Sequence, residues 1–234
     1  MRKGVPHLLI LALALVVPAS AGDTTRQDDV RRLEASAEAL HDVFHMPDQG
    51  IPDKLLKSAV CIGIIPGEKK VAFFVGGNYG KGMVTCRDAR GWSAPLFLTV
   101  TGGSFGFQWG ATSTDLVLIF RGKHGLEKLL SDKFELGADA NVAAGPVGRN
   151  AQADTDASMH AEVLTYSRSR GVFAGISLKG AVLQADESGN EAFYGSARRD
   201  AILSGGVPVP RAAKPLITEI VAGAGIYQVE RAAR

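Results

Sequence analysis

Ser104 stands in Gly102-Gly103-Ser104-Phe105-Gly106. This G-x-S-x-G pattern serves hydrolases by thrusting a serine out of a sharp strand-to-helix turn. The residues that follow, Phe105-Gly106-Phe107-Gln108-Trp109-Gly110, alternate like a strand. Asp115 and His124 or His160 are candidate triad partners, yet no spacing places them beside Ser104. A glycine turn between strands is the better reading, and a serine hydrolase is the remote alternative. Gly76-Gly77-Asn78-Tyr79-Gly80-Lys81-Gly82 resembles a phosphate loop. However, Gly82 replaces the hydroxyl residue, and Met83-Val84-Thr85-Cys86 reads as strand rather than helix. The expectation is a hairpin turn whose amides, beside Lys81, could hold an anion.

Metal chemistry has little support. His160 and Glu162 share a strand face and Asp154 and Asp156 share a loop, but neither pair completes a ligand set. No H-E-x-x-H or C-x-x-C occurs. No metal, cofactor or enzymatic activity is expected. Cys61 and Cys86 both lie in apolar runs. Two buried thiols are the default reading, and a disulfide is left open.

The remaining chemistry is cationic. Basic residues cluster loosely as Lys54 with Lys57, Lys69 with Lys70, Arg87 with Arg90, Arg121 with Lys123 and Arg168 with Arg170, the first four sets beside apolar runs. Solvation accounts for most surface charge. A patch of such groups would instead grip anionic lipid headgroups, at about 1 kcal/mol per side chain. The chain carries 26 basic and 24 acidic residues. That balance argues against a general nucleic-acid binder.

The elements that must position these groups follow from periodicity. Arg2 and Lys3 precede the apolar run Leu8–Val17, and Pro18-Ala19-Ser20-Ala21 ends in A-x-A. Residues 1–21 therefore read as a signal peptide cleaved near Ala21. The run is about half the ~20 residues a membrane span needs. An exported protein, periplasmic or secreted, is expected. Residues 22–27 read as a flexible leader. A helix then runs from Asp28 or Asp29 to about His45, with Val30, Leu33, Ala37, Leu40 and Phe44 on one face. A short helix over Asp53–Ser58 comes next.

From Ala59 on, short apolar runs alternate with Gly, Pro and Asn turns: 60–65, 71–75, 82–87, 95–101, 105–111 and 116–120. A helix at 123–131 interrupts them. Strands resume at 134–143, 161–167, 172–178 and 181–185. Helices near 187–194, 197–203 and 215–222 close the chain. The predicted class is α+β: a mostly antiparallel, barrel-like or strongly curved β-meander with an N-terminal amphipathic helix, one mid-chain helix and C-terminal helices.

A series of motifs occurs in one order: Ile51-Pro52, Leu55-Leu56, Ala59-Val60, Ile65-Pro66, Gly76-Gly77-x-x-Gly80-x-Gly82 and Trp92-Ser93-x-Pro95. Ser104-x-Gly106-x-Gln108-x-Gly110, Leu136-Gly137-Ala138-Asp139, Ala144–Arg149, Gly171–Leu178 and Ala192-Phe193-Tyr194-Gly195 follow. In this the chain resembles the SYLF domain family over about Asp28–Leu203. The domain is expected at 28–204, with 205–234 as a C-terminal extension containing a helix.

The resemblance implies lipid binding. Eukaryotic relatives bind phosphoinositide membranes, and some bundle actin; bacterial relatives are exported with the domain alone. Actin is not expected as a partner in a bacterial envelope, and no SH3 or FYVE companion is expected. The expected function is therefore non-enzymatic binding of anionic phospholipid. An envelope protein–protein interaction or scaffold role is the alternative. The residues expected to meet headgroups are Lys54, Lys57, Lys69, Lys70, Lys81 and Arg149. Leu33, Leu40 and Phe44 either face the acyl boundary or cover the sheet.

Overall fold

Leu33, Ala37, Leu40 and Val43 are buried along the first helix. That spacing lays one apolar stripe against a packed layer. The layer is a sheet, and the two form an α+β domain. The computed structural model describes residues 21–46, 50–67, 79–88, 90–102, 114–131, 133–148, 160–169 and 172–223. Helix α1 spans Ala21–Phe44 and α2 spans Asp53–Ser58. The strands are β1 Cys61–Ile65, β2 Tyr79–Asp88, β3 Gly91–Trp92, β4 Leu96–Gly102 and β5 Thr114–Phe120. After α3 (Lys123–Leu129) come β6 Phe134–Glu135, β7 Val142–Ala144, β8 Val163–Ser169, β9 Val172–Gly175 and β10 Ala181–Ala185. Helices α4 (Glu187–Tyr194), α5 (Arg199–Leu203) and α6 (Lys214–Gly223) follow.

The strands form one sheet in the order β6-β10-β4-β2-β1-β5-β8-β7, with β3 added to β2 and β9 to β8. The sheet curls into a half-barrel and is mostly antiparallel, as its short turns predict. Its order is not that of a simple meander. β1 lies between β2 and β5, so the chain passes from β4 back across two strands before adding β5. β7 and β8 run parallel. Residues 145–162 connect them, which is long enough for a crossover. β7 and β9 share the outer edge of β8 end to end.

Two cores follow from strand alternation. Ile62 and Ile64 of β1 face the α1 side, with Met83, Phe97, Val117 and Tyr166. Cys61 and Ile65 face the other side, with Leu96, Phe120, Phe134 and Ile202. β1 is therefore buried throughout, the mark of a central strand.

Several expectations change here. Residues 22–27 belong to helix α1 rather than to a loose leader. Arg26 donates to the carbonyls of Ala192 and Phe193 and lies over the Phe193 ring, which ties this turn to α4. The predicted strand 134–143 is broken into β6 and β7 by a turn containing Gly137. Cys61 and Cys86 are joined in a disulfide, not left as thiols. They face each other in the β1–β2 register, which the sequence could not supply.

Leu33 and Leu40 are fully buried under the sheet. Burying a leucine contributes about 1.5–3 kcal/mol, and a side chain already dry has none of that left to offer a bilayer. These two residues are core, not membrane contacts. Phe44 is half-buried and packs against the same core.

Candidate functional site

Where α1 crosses the start of β2, the protein buries a group of charges. Arg32 is 2% exposed and lies 3.0 Å from both Asp29 and Asp186. It also donates to the Gly82 carbonyl at 3.4 Å, and its guanidinium sits over the Phe97 ring. Gly82, the first residue of the expected strand 82–87, lies within β2, which starts three residues earlier at Tyr79. A Cβ there would collide with the Ile64 carbonyl, so only glycine lets the strands approach beneath Arg32. Asp186 caps α4, accepting from the Gly189 amide at 3.3 Å and from Ser188 at 2.9 Å. Lys81 reaches it at 3.0 Å. Asn190, one turn into α4, holds the Phe97 amide and carbonyl, each at 2.9 Å. One cation thus ties α1, β2 and the start of α4 together.

The two carboxylates respond differently. Burial pushes the Asp29 carboxyl up, since Arg32 only partly offsets it and Asp186 adds a like charge. Burial also opposes ionisation of Asp186. There, hydrogen bonds from Lys81 and Ser188 and the charge of Arg32 win, holding it down at about 2. Its folded value lies below its unfolded one. Its stabilising contribution is therefore complete above about pH 4 and fades as pH falls from there towards 2. Asp29 has the opposite sign and gains from protonation on acidification. Asp186→Asn should therefore flatten the stability-versus-pH curve between about pH 4 and 2. Urea midpoints of the two proteins across that range check this.

The predicted cations do not gather in one place. Lys54 and Lys57 are exposed on α2, next to the Cys61 end of β1. Arg87 clamps that helix by donating to the carbonyls of Leu56, Lys57 and Ala59, and it stacks on Trp92. Lys81 lies towards the Ile65 end, roughly 13 Å away along β1 at about 3.3 Å per residue. It pairs with Asp186, whose Oδ2 it shares with Arg32, and its side chain is 39% exposed. Lys69, Lys70 and Arg149 lie outside the described residues. Gly148, just before Arg149, donates to the Gly50 carbonyl at 3.0 Å, close to the start of α2.

The hydrolase alternative loses the pairing of Asp115 with His124. Ser104 lies outside the described residues. Asp115 pairs with Arg168 at 2.7 Å and accepts from the Gly67 amide at 2.8 Å. His124 pairs with Glu162 at 2.8 Å beyond the far end of β5. Asp115 and the end of β5 are roughly 17 Å apart at about 3.3 Å per residue, so this acid and this base cannot form one triad. Glu162, expected beside His160, is taken up by His124 and by the Asn141 amide at 3.0 Å.

Sequence reasoning passed over Asp29, Arg32 and Asp186. A basic residue three positions after an acid in an amphipathic helix was the available signal, but it reads equally as an exposed pair.

Residues 101–222 match the family model described as Ysc84: Las17-binding protein actin regulator. The chain is 37% identical to Protein YSC84 of Saccharomyces cerevisiae over 175 residues, covering 73% of this chain and 37% of that protein. It is 34% identical over 188 residues to SH3 domain-containing YSC84-like protein 1 of Xenopus laevis, covering 79% of this chain and 56% of the relative. The Mus musculus protein of that name is 36% identical over 173 residues, covering 73% and 51%. The chain therefore spans between about two fifths and just over half the length of these relatives. The motif order, the curled sheet and these identities agree: the chain belongs to the Ysc84 family, that of the SYLF domain.

Proposed function

We propose that this chain is an exported, non-catalytic module that binds anionic phospholipid. The carrying observation is the pair Lys54 and Lys57, exposed on a short helix that Arg87 holds rigidly to the sheet. Neither lysine is in an ion pair among the described residues. The Gly148–Gly50 hydrogen bond supports the inclusion of Arg149 by holding its chain neighbour near the same helix. The Cys61–Cys86 disulfide fits an oxidising compartment, and so fits export.

Replacing both lysines by alanine should remove about 2 kcal/mol of attraction, or about 30-fold in affinity for anionic vesicles. Flotation of Lys54→Ala/Lys57→Ala with phosphatidylglycerol vesicles checks this. Binding equal to that of the unaltered chain would overturn the proposed surface.

A second reading takes a protein partner, in keeping with the family description. Val172 of edge strand β9 is 66% exposed, and β9 pairs only with β8 among the described residues. Such an edge suits strand addition.

A further inference from the structure

His41 stands in the last turn of α1 and His45 just past its end; the His45 amide donates to the His41 carbonyl at 3.0 Å, which carries the turn on and sets the two side chains on one face. Their rings stack with centroids 3.9 Å apart. Helix α6 lies alongside. Leu216 and Ile220 are buried with Leu40 and Val43, and Phe44 fills the space where a Gly223 side chain would stand. This packing brings Glu219 to His41, with Oε1 3.4 Å from Nδ1. One ligand atom from each of His41, His45 and Glu219 lies within 4.8 Å of the others.

We infer that these three side chains form a binding site for zinc or a similar divalent transition metal. Two ligands at about 2.0–2.2 Å from a tetrahedral zinc lie about 3.4 Å from each other. The His41–Glu219 separation is already that edge. His45 is oriented as a metal ligand is in known sites. Its Nδ1 lies 2.8 Å from the His41 carbonyl. A carbonyl only accepts, so Nδ1 carries the proton and Nε2 keeps its lone pair for a metal. Two imidazoles and one carboxylate suit zinc, copper or nickel rather than calcium or magnesium. Three protein ligands leave a fourth position for water.

His41 and Glu219 have side chains 53% and 27% exposed, so an ion can enter without unfolding the site. The bound metal would staple α6 to the end of α1 and raise stability by mass action. This inference is independent of the phospholipid reading.

The test uses the untagged chain, stripped with chelator and titrated with zinc against a competing chromogenic chelator. Thermal unfolding is followed in parallel. One zinc per chain and a Tm that climbs with zinc are expected. His45→Ala and Glu219→Gln should each weaken binding by at least about 100-fold, the upper end of the loss from an outer-shell partner. Both variants should melt like the unaltered chain when zinc is absent. His124→Ala, which removes a histidine paired elsewhere, should leave the titration unchanged. No stoichiometric zinc, or binding that survives both ligand variants, overturns the assignment.

Discussion

Arg32→Ala should lower unfolding free energy by about 3–5 kcal/mol, the cost of removing one partner from a buried ion group. Arg32 is the only side chain that reaches Asp29, Asp186 and the Gly82 carbonyl together among the described residues. Without it, two carboxylates remain under α1 with Lys81 as their nearest compensation. The Asp29 oxygens make no well-aligned hydrogen bond even in the intact protein, although Oδ1 lies 3.0 Å from Arg32. Asp29 therefore has nothing to fall back on. Arg32→Lys should rescue only in part, because Nη2 alone lies 3.0 Å from both carboxylates while Nη1 donates to the Gly82 carbonyl, and one ammonium lacks the planar fork that serves both. Urea denaturation of the three proteins measures this. A loss below about 1 kcal/mol for Arg32→Ala would mean that the group is relaxed by water and holds nothing.

The second large effect concerns the Cys61–Cys86 bridge. It joins the two most central strands at directly opposed positions and closes a separation of 25 residues. Loop-closure entropy for that length gives about 3.5 kcal/mol. Both residues are fully buried beside Leu96 and Phe120. Cys61→Ala/Cys86→Ala should lower the denaturation midpoint markedly in non-reducing buffer. Reductant should then lower the unaltered chain towards the variant while leaving the variant where it was. Superimposable curves for all four conditions would contradict a stabilising bridge.

Local signals in the sequence were legible where the structure is local. α2 and α4 fall where their punctuation puts them, between Pro52 and Ala59 and after the Asp186 cap. β10 lies at 181–185, as its apolar run predicts. The sheet order was not legible, because β1 takes β5 as a neighbour although β2, β3 and β4 come between them in the chain. Nor was β3, a two-residue strand that pairs only through Arg87–Trp92 and Asp88–Gly91. The charges were hardest. Lys81 reads as a loop cation until Asp186, 105 residues later, is found beside it. Arg32 meets Asp186 across 154 residues, and His41 meets Glu219 across 178. Such partners are set by tertiary packing, on which residue spacing is silent. The disulfide was hidden for the same reason: two cysteines in apolar runs state nothing about register.

The functional account reduces to cations at the α2 end of the half-barrel meeting a negatively charged bilayer. The most direct measurement is co-flotation of the whole chain with phosphatidylglycerol and with phosphatidylcholine vesicles over a salt series. The screening length falls from about 10 Å at 0.1 M to about 3 Å at 1 M. The chain should float with the anionic vesicles at low salt, release across that range, and ignore the zwitterionic ones throughout. Equal flotation with both lipids, or capture that salt does not weaken, would contradict the account.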